Sequence, residues 1–63
     1  MDIGGNIRKK RNENNISQRE LAAMVNVKQS MICQIERGTK IPSMALGKEI
    51  ADALKCSMES LIL

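Results

Sequence analysis

The side chains of this 63-residue chain whose types and spacing suit them to recognise another molecule gather between residues 28 and 37. Gln29, Ser30, Gln34 and Arg37 recur there at intervals that a helix brings towards one side. Such amide, hydroxyl and guanidinium groups match the donors and acceptors on base edges: Gln and Arg through paired hydrogen bonds, Ser through several alternatives. Other chemistries lack their groups. His is absent, and with it the usual general base and the commonest metal ligand. Cys33 and Cys56 have neither CxxC spacing nor companions for a zinc site. Without a base, a nucleophile pair or a metal set, the chain is not expected to be an enzyme, and no cofactor or small-molecule ligand is implied.

Elements that could position those side chains must be built from few materials. The length allows one domain, residues 1–63, near the lower bound for a chain that folds without staples. Hydrophobic residues make up 43% of it, yet Phe, Trp and Tyr are all missing, so Ile, Leu, Val, Met and Ala must form the core. Most of these are good helix formers. Charge is unevenly spread: Arg8, Lys9, Lys10, Arg11, Arg19, Lys28, Arg37 and Lys40 outnumber Asp2, Glu13, Glu20 and Glu36 in residues 1–40, a net +4. Residues 41–63 are net −1. A basic front suits a polyanion, although ordinary solubilising charge explains it equally well. No apolar run approaches the ~20 residues of a membrane span, and no signal peptide is evident. A cytoplasmic protein with both thiols reduced is expected.

Five helices are predicted. Asp2 caps the first, which runs to about Asn14 with Ile3, Ile7 and Arg11 on one stripe; Gly4 and Gly5 weaken its first turn. Ser17-Gln18-Arg19-Glu20 fits a capping box, with Ile16 and Leu21 as its hydrophobic staple, and opens a helix to about Val25. Asn26 tolerates the left-handed conformation of a tight turn. The third helix spans Lys28 to Arg37 and stops at Gly38. Pro42 disfavours helix at Ile41, Ser43 caps a fourth helix through about Lys55, and Ser57 caps a short fifth.

Residues 17–37 are thus two short helices joined by a tight turn. Leu21, Ala22 and Val25 face inward from one, Val27, Ile32 and Ile35 from the other, and the small Ala22 lets them cross closely. At about 100° per residue, Ile32, Ile35 and Glu36 share the inner side of the third helix. Ser30, Gln34 and Arg37 then face outward, flanked by Cys33, with Gln29 at the exposed N-terminal end. Any amphipathic helix has a polar outside, so this face alone does not decide between recognition and solvation.

The combined pattern is more specific. Ile16-Ser17-Gln18-Arg19-Glu20-Leu21-Ala22, Val25-Asn26-Val27, Gln29-Ser30, Ile32, Ile35-Glu36-Arg37-Gly38 and Pro42-Ser43 resemble the Cro/phage-repressor (XRE-type) helix-turn-helix family. Ile50-Ala51-Asp52-Ala53-Leu54 and Ser57-Met58-Glu59-Ser60-Leu61 are similar to its fourth and fifth helices. The resemblance implies an all-α, lambda-repressor-like five-helix domain that puts its third helix into the major groove of double-stranded DNA. It further implies a homodimer on DNA, acting as a repressor-like transcriptional regulator. On matching positions it implies base reading by Gln29, Ser30 and Gln34. Gln18, Arg37, Lys40 and the amides near Ser43 would hold phosphates, and Arg11 and Glu36 would form a structural ion pair. Lys28 has a rationale of its own as a phosphate contact, against that of an ordinary solvated lysine.

Four positions depart from the family pattern. Asn26 replaces a usual Gly, Lys28 a capping Ser or Thr, Cys33 a frequent Ser, and Gly47 a core-facing Leu. Cys33 reads as a small half-buried filler and Cys56 as core, and Met24, Met31, Met44 and Met58 as core or interface padding. An apolar patch of Ile41, Met44, Met58, Leu61 and Ile62 would suit either homodimerisation or an alternative role as an antitoxin-type protein-interaction module.

Overall fold

A computed structural model describes residues 2–63. Its helices are α1 (Ile3–Glu13), α2 (Gln18–Met24), α3 (Gln29–Arg37), α4 (Met44–Ala53) and α5 (Met58–Ile62), with no strand among the described residues. Side-chain caps open four of them: Asp2 accepts from the Gly5 amide, Ser17 from Glu20, Ser43 from Leu46 and Ser57 from Ser60. The capping box is complete, because Glu20 also accepts from the Ser17 amide at 2.9 Å. Lys28 is the exception, an N-cap residue in extended conformation whose ammonium cannot accept a hydrogen bond.

One device ends all four of the longer helices. A left-handed residue follows each of them: Asn15, Asn26 and Lys55, each at φ 57°, and Gly38 at φ 84°. The next amide then reaches back to the last turn, from Ile16 to Arg11, Val27 to Ala22, Thr39 to Gln34 and Cys56 to Ala51. These are Schellman closures, and they satisfy carbonyls that the helix leaves unpaired. In three of them the same short link recurs: a left-handed residue, an apolar residue that packs against the core, and the N-cap of the next helix. Asn15-Ile16-Ser17, Asn26-Val27-Lys28 and Lys55-Cys56-Ser57 are those links.

The predicted boundaries shift slightly for this reason. α2 ends at Met24 with Val25 as its cap, α3 begins at Gln29 because Lys28 caps it, and α4 ends at Ala53 because Lys55 turns left-handed. Lys55 carries no sequence signal for that conformation, which Gly or Asn adopts more readily.

Ile7, Leu21, Ile32, Ile35, Ile50, Leu54 and Leu61 are fully buried, and Ala22, Val25 and Ala51 complete the core. α2 packs against α3, and the small Ala22 of α2 is buried. α5 closes the domain against α1 and α4, helped by the Asn6 amide donating to the Leu61 carbonyl at 2.7 Å. Between α5, the start of α1 and the first turns of α4 lies an open apolar groove of about 220 Å³. No helix is long and apolar enough to cross a membrane among the described residues.

Candidate nucleic-acid interface

Placement of α3 depends on a buried polar junction. Glu36 points inward from α3, and its side chain has no exposure to solvent. Arg11 of α1 grips it with two hydrogen bonds, Nε to Oε2 at 2.7 Å and Nη2 to Oε1 at 3.1 Å. Gln18 at the start of α2 donates its amide to Oε1 at 3.0 Å, and Arg8 adds a longer contact, Nε to the same oxygen at 3.4 Å. Arg11 Nη1 also donates to the Ile16 carbonyl at 2.9 Å. One carboxylate therefore ties α1, α2 and α3 together. Burial opposes the Glu36 charge, but the hydrogen bonds from Arg11 and then Gln18, with the Arg11 charge and the Arg8 contact, outweigh it and hold the carboxyl below the usual range. The Arg11 guanidinium is correspondingly pushed up by its hydrogen bond to Glu36.

Gly4 supplies the second constraint on α3. A Cβ there would collide with the Ile35 carbonyl oxygen and lie 2.6 Å from that of Glu36. α1 can approach the C-terminal turn of α3 this closely only because residue 4 has no side chain. With Ile32 and Ile35 buried on the same side, the roll of α3 about its axis is set.

The outward side is open. Gln29, Ser30, Gln34 and Arg37 are exposed, Cys33 is half-buried beside them, and none of these side chains hydrogen-bonds to another described residue. Lys28 and Lys40 are exposed and make no ion pair among the described residues. The structure thus brings Gln29, Ser30 and Gln34 to one surface with Lys28 at its N-terminal end and Arg37 and Lys40 at the other. Gln18 and Ser43 stand differently. The Gln18 amide nitrogen already serves Glu36, and the Ser43 hydroxyl already caps α4 at 3.1 Å from the Leu46 amide. Arg11 and Glu36 are the junction itself.

Two contributors escaped the sequence reading. Arg8 stands three residues before Arg11 on the same face of α1, a spacing that could have disclosed it. Gly4 read only as a weak first turn, because nothing local reports what approaches it in space.

A helix-turn-helix family pattern matches residues 7–61, nearly the whole chain. The chain belongs to the Cro/repressor-type helix-turn-helix family. Members of this family are DNA-binding regulators. Solved structures of family members superpose closely. The clp gene regulator ClgR from Corynebacterium glutamicum is 28% identical with a TM-score of 0.93, over 97% of this chain and 65% of that one. This chain therefore spans slightly less than two thirds of ClgR. The biofilm regulator SinR, solved in complex with DNA, is 31% identical with a TM-score of 0.91 over 97% of this chain and 98% of its own. The P22 c2 repressor, solved with a synthetic operator, is 33% identical with a TM-score of 0.91 over 97% and 92%. Curated protein sequences gave no significant match.

Proposed function

We propose that this helix-turn-helix domain, residues 1–63, binds double-stranded DNA sequence-specifically as a homodimer and regulates transcription in the manner of a repressor. The observation that carries this reading is the contrast across α3. Its inner side is locked by Glu36, Ile32 and Ile35, while Gln29, Ser30 and Gln34 stand exposed and unpaired on its outer side. A helix held by one side and offering unspent amides and a hydroxyl on the other is suited to the major groove, where such groups distinguish base pairs. SinR and the P22 c2 repressor, related to this chain over 97% of its length, were both solved on DNA.

In this reading Gln29, Ser30 and Gln34 contact base edges. Lys28, Arg37 and Lys40 contact phosphates with their free cationic ends. At Gln18, one amide N–H remains for a phosphate while the other bonds to Glu36; at Ser43 the backbone amides take that part, since the hydroxyl is engaged. The domain performs no catalysis and needs no cofactor. It works in the cytoplasm of a bacterium or in that of a phage-infected cell. Selection of sites from random duplexes tests the reading. Near-palindromic sites with half-site centres about one helical turn apart support it; recovery of no preferred duplex, or of short asymmetric sites bound by one copy, overturns it.

A further inference from the structure

We infer that Arg8 is a further phosphate-gripping residue of this domain, holding the sugar–phosphate strand that runs along the Glu36 edge of α3. The inference rests on the DNA-binding function just proposed and adds to it a residue and the part of its side chain that does the gripping. Two guanidinium groups meet one carboxylate at the junction, so Arg8, Arg11 and Glu36 together keep one positive charge in excess. Arg11 does not offer that charge to a partner. Its Nε and Nη2 bond to Glu36, its Nη1 bonds to the Ile16 carbonyl and to Asn12 Oδ1, and its side chain is only 12% exposed. Arg8 is spent far less. Among the described residues only its Nε is engaged, at 3.4 Å, and its side chain is 54% exposed.

The part of the guanidinium left over is the part that suits a phosphate. With Nε turned to Glu36, Nη1 and Nη2 present a fork of N–H donors, and such a fork binds two oxygens of one phosphate at once. Gln18 stands beside it, because its amide nitrogen bonds to the same Glu36 oxygen at 3.0 Å and has a second N–H to give. Two donors anchored on a single buried atom converge on one place. An anion that both could reach must lie on the solvent side of them, since the Glu36 side chain itself has no exposure.

That place borders the reading face. Gln29 and Glu36 are seven residues apart on α3, two turns that leave them only about 20° out of line. The row that starts at Gln29 thus ends at Glu36, and Arg8 and Gln18 stand where that row ends. A helix about 10–12 Å across fills a major groove about 12 Å wide. A helix that puts Gln29 into the groove therefore carries its Glu36 edge along a phosphate strand, where Arg8 and Gln18 meet it. Lys28, Arg37 and Lys40 stand at or beyond the two ends of α3, and Arg8 supplies the charge on its flank.

Fluorescence anisotropy on two labelled duplexes, the best one recovered by site selection and a mixed-sequence one of equal length, tests the contact between about 50 and 200 mM salt. The proteins compared are the wild type, Arg8→Gln, Arg8→Lys and Lys55→Gln, the last of which removes an equal, exposed charge beyond the end of α4. Thermal melts fix a temperature at which each is folded. Arg8→Gln should bind both duplexes about tenfold more weakly, with its base preference intact and its salt slope shallower by about one unit per subunit. Arg8→Lys should keep the wild-type slope and only part of the affinity, because its ammonium retains the charge without the fork. Lys55→Gln should keep both. An Arg8→Gln protein with the wild-type slope, whatever its melting temperature, would confine Arg8 to the junction and overturn the inference. A Lys55→Gln slope equally shallow would overturn it too, because net charge alone would then explain the effect. A folded wild type that binds neither duplex would instead overturn the proposed function, and the inference with it.

Discussion

The inner and outer sides of α3 are made from similar polar residue types used in opposite ways. Inside, Glu36 spends its carboxylate on Arg11, Gln18 and Arg8, and every buried side-chain nitrogen and oxygen among the described residues has a partner. Outside, Gln29, Ser30 and Gln34 leave their hydrogen-bonding capacity unspent. Chemically, Gln18 and Gln29 are the same amide. What separates them is a neighbour: Gln18 has a buried carboxylate 3.0 Å away, and Gln29 has solvent. A satisfied polar group fixes geometry, because leaving it unpaired away from water is costly. An unsatisfied one at the surface costs nothing to hold ready, because water serves it until another partner arrives. Recognition by this domain depends on keeping the two uses apart.

The inner side should be the easier to break. Glu36→Ala strands the Arg11 guanidinium in a mostly buried position and should cost roughly 3 kcal/mol by denaturant titration. Equal denaturation midpoints for wild type and variant would mean that solvent screens the junction. The Glu36 carboxyl is held below its ordinary range in the folded state, so its stabilisation is full above that range and is lost as pH falls through the folded value. The stability advantage of wild type over Glu36→Gln should accordingly shrink on acidification, and an advantage that grew would contradict the assignment.

Gly4→Ala tests the other constraint on the same side. Its Cβ meets two carbonyls of α3 rather than a side chain that could swing away, so about 2 kcal/mol of destabilisation is expected, against the gain that Ala normally brings to a helix. A more stable Gly4→Ala protein would show that α1 and α3 can separate freely.

Changes to the outer side should leave stability alone and alter binding. Gln29→Ala should weaken the selected duplex by about 1–3 kcal/mol and relax preference at one position in each half-site. Uniform weakening of all duplexes would remove Gln29 as a reading residue. The smallest effect is expected from Lys28→Ala, which should lower affinity for specific and non-specific duplexes alike and flatten the salt dependence by about one unit per subunit. An unchanged salt slope would leave Lys28 as a solvated lysine at a helix end that it caps poorly.

Much of this molecule was legible in the chain because its signals are local. Ser17 and Glu20 lie three residues apart, and their capping box needs nothing beyond that turn. Asn26 and Gly38 announce their left-handed turns by residue type, whereas Lys55 adopts the same conformation without announcing it, since the packing of Cys56 and the cap at Ser57 select the turn there. Helical periodicity likewise separated Ile32, Ile35 and Glu36 from Ser30, Gln34 and Arg37. The pairing of Arg11 with Glu36 came from family resemblance and not from spacing, because 25 residues separate them.

By itself, then, the sequence determined the five helices, their caps, the faces of α3 and the family, all of which rest on residue type and short-range spacing. Tertiary structure alone decided three other matters. It set Gly4 against the carbonyls of α3, drew Arg8 and Gln18 onto Glu36, and packed Met58 against Gly47 while leaving Met44 exposed at the start of α4. Each depends on which distant segments meet. Helix periodicity tells which side of a helix is buried, and only the packing of whole helices tells what lies against it.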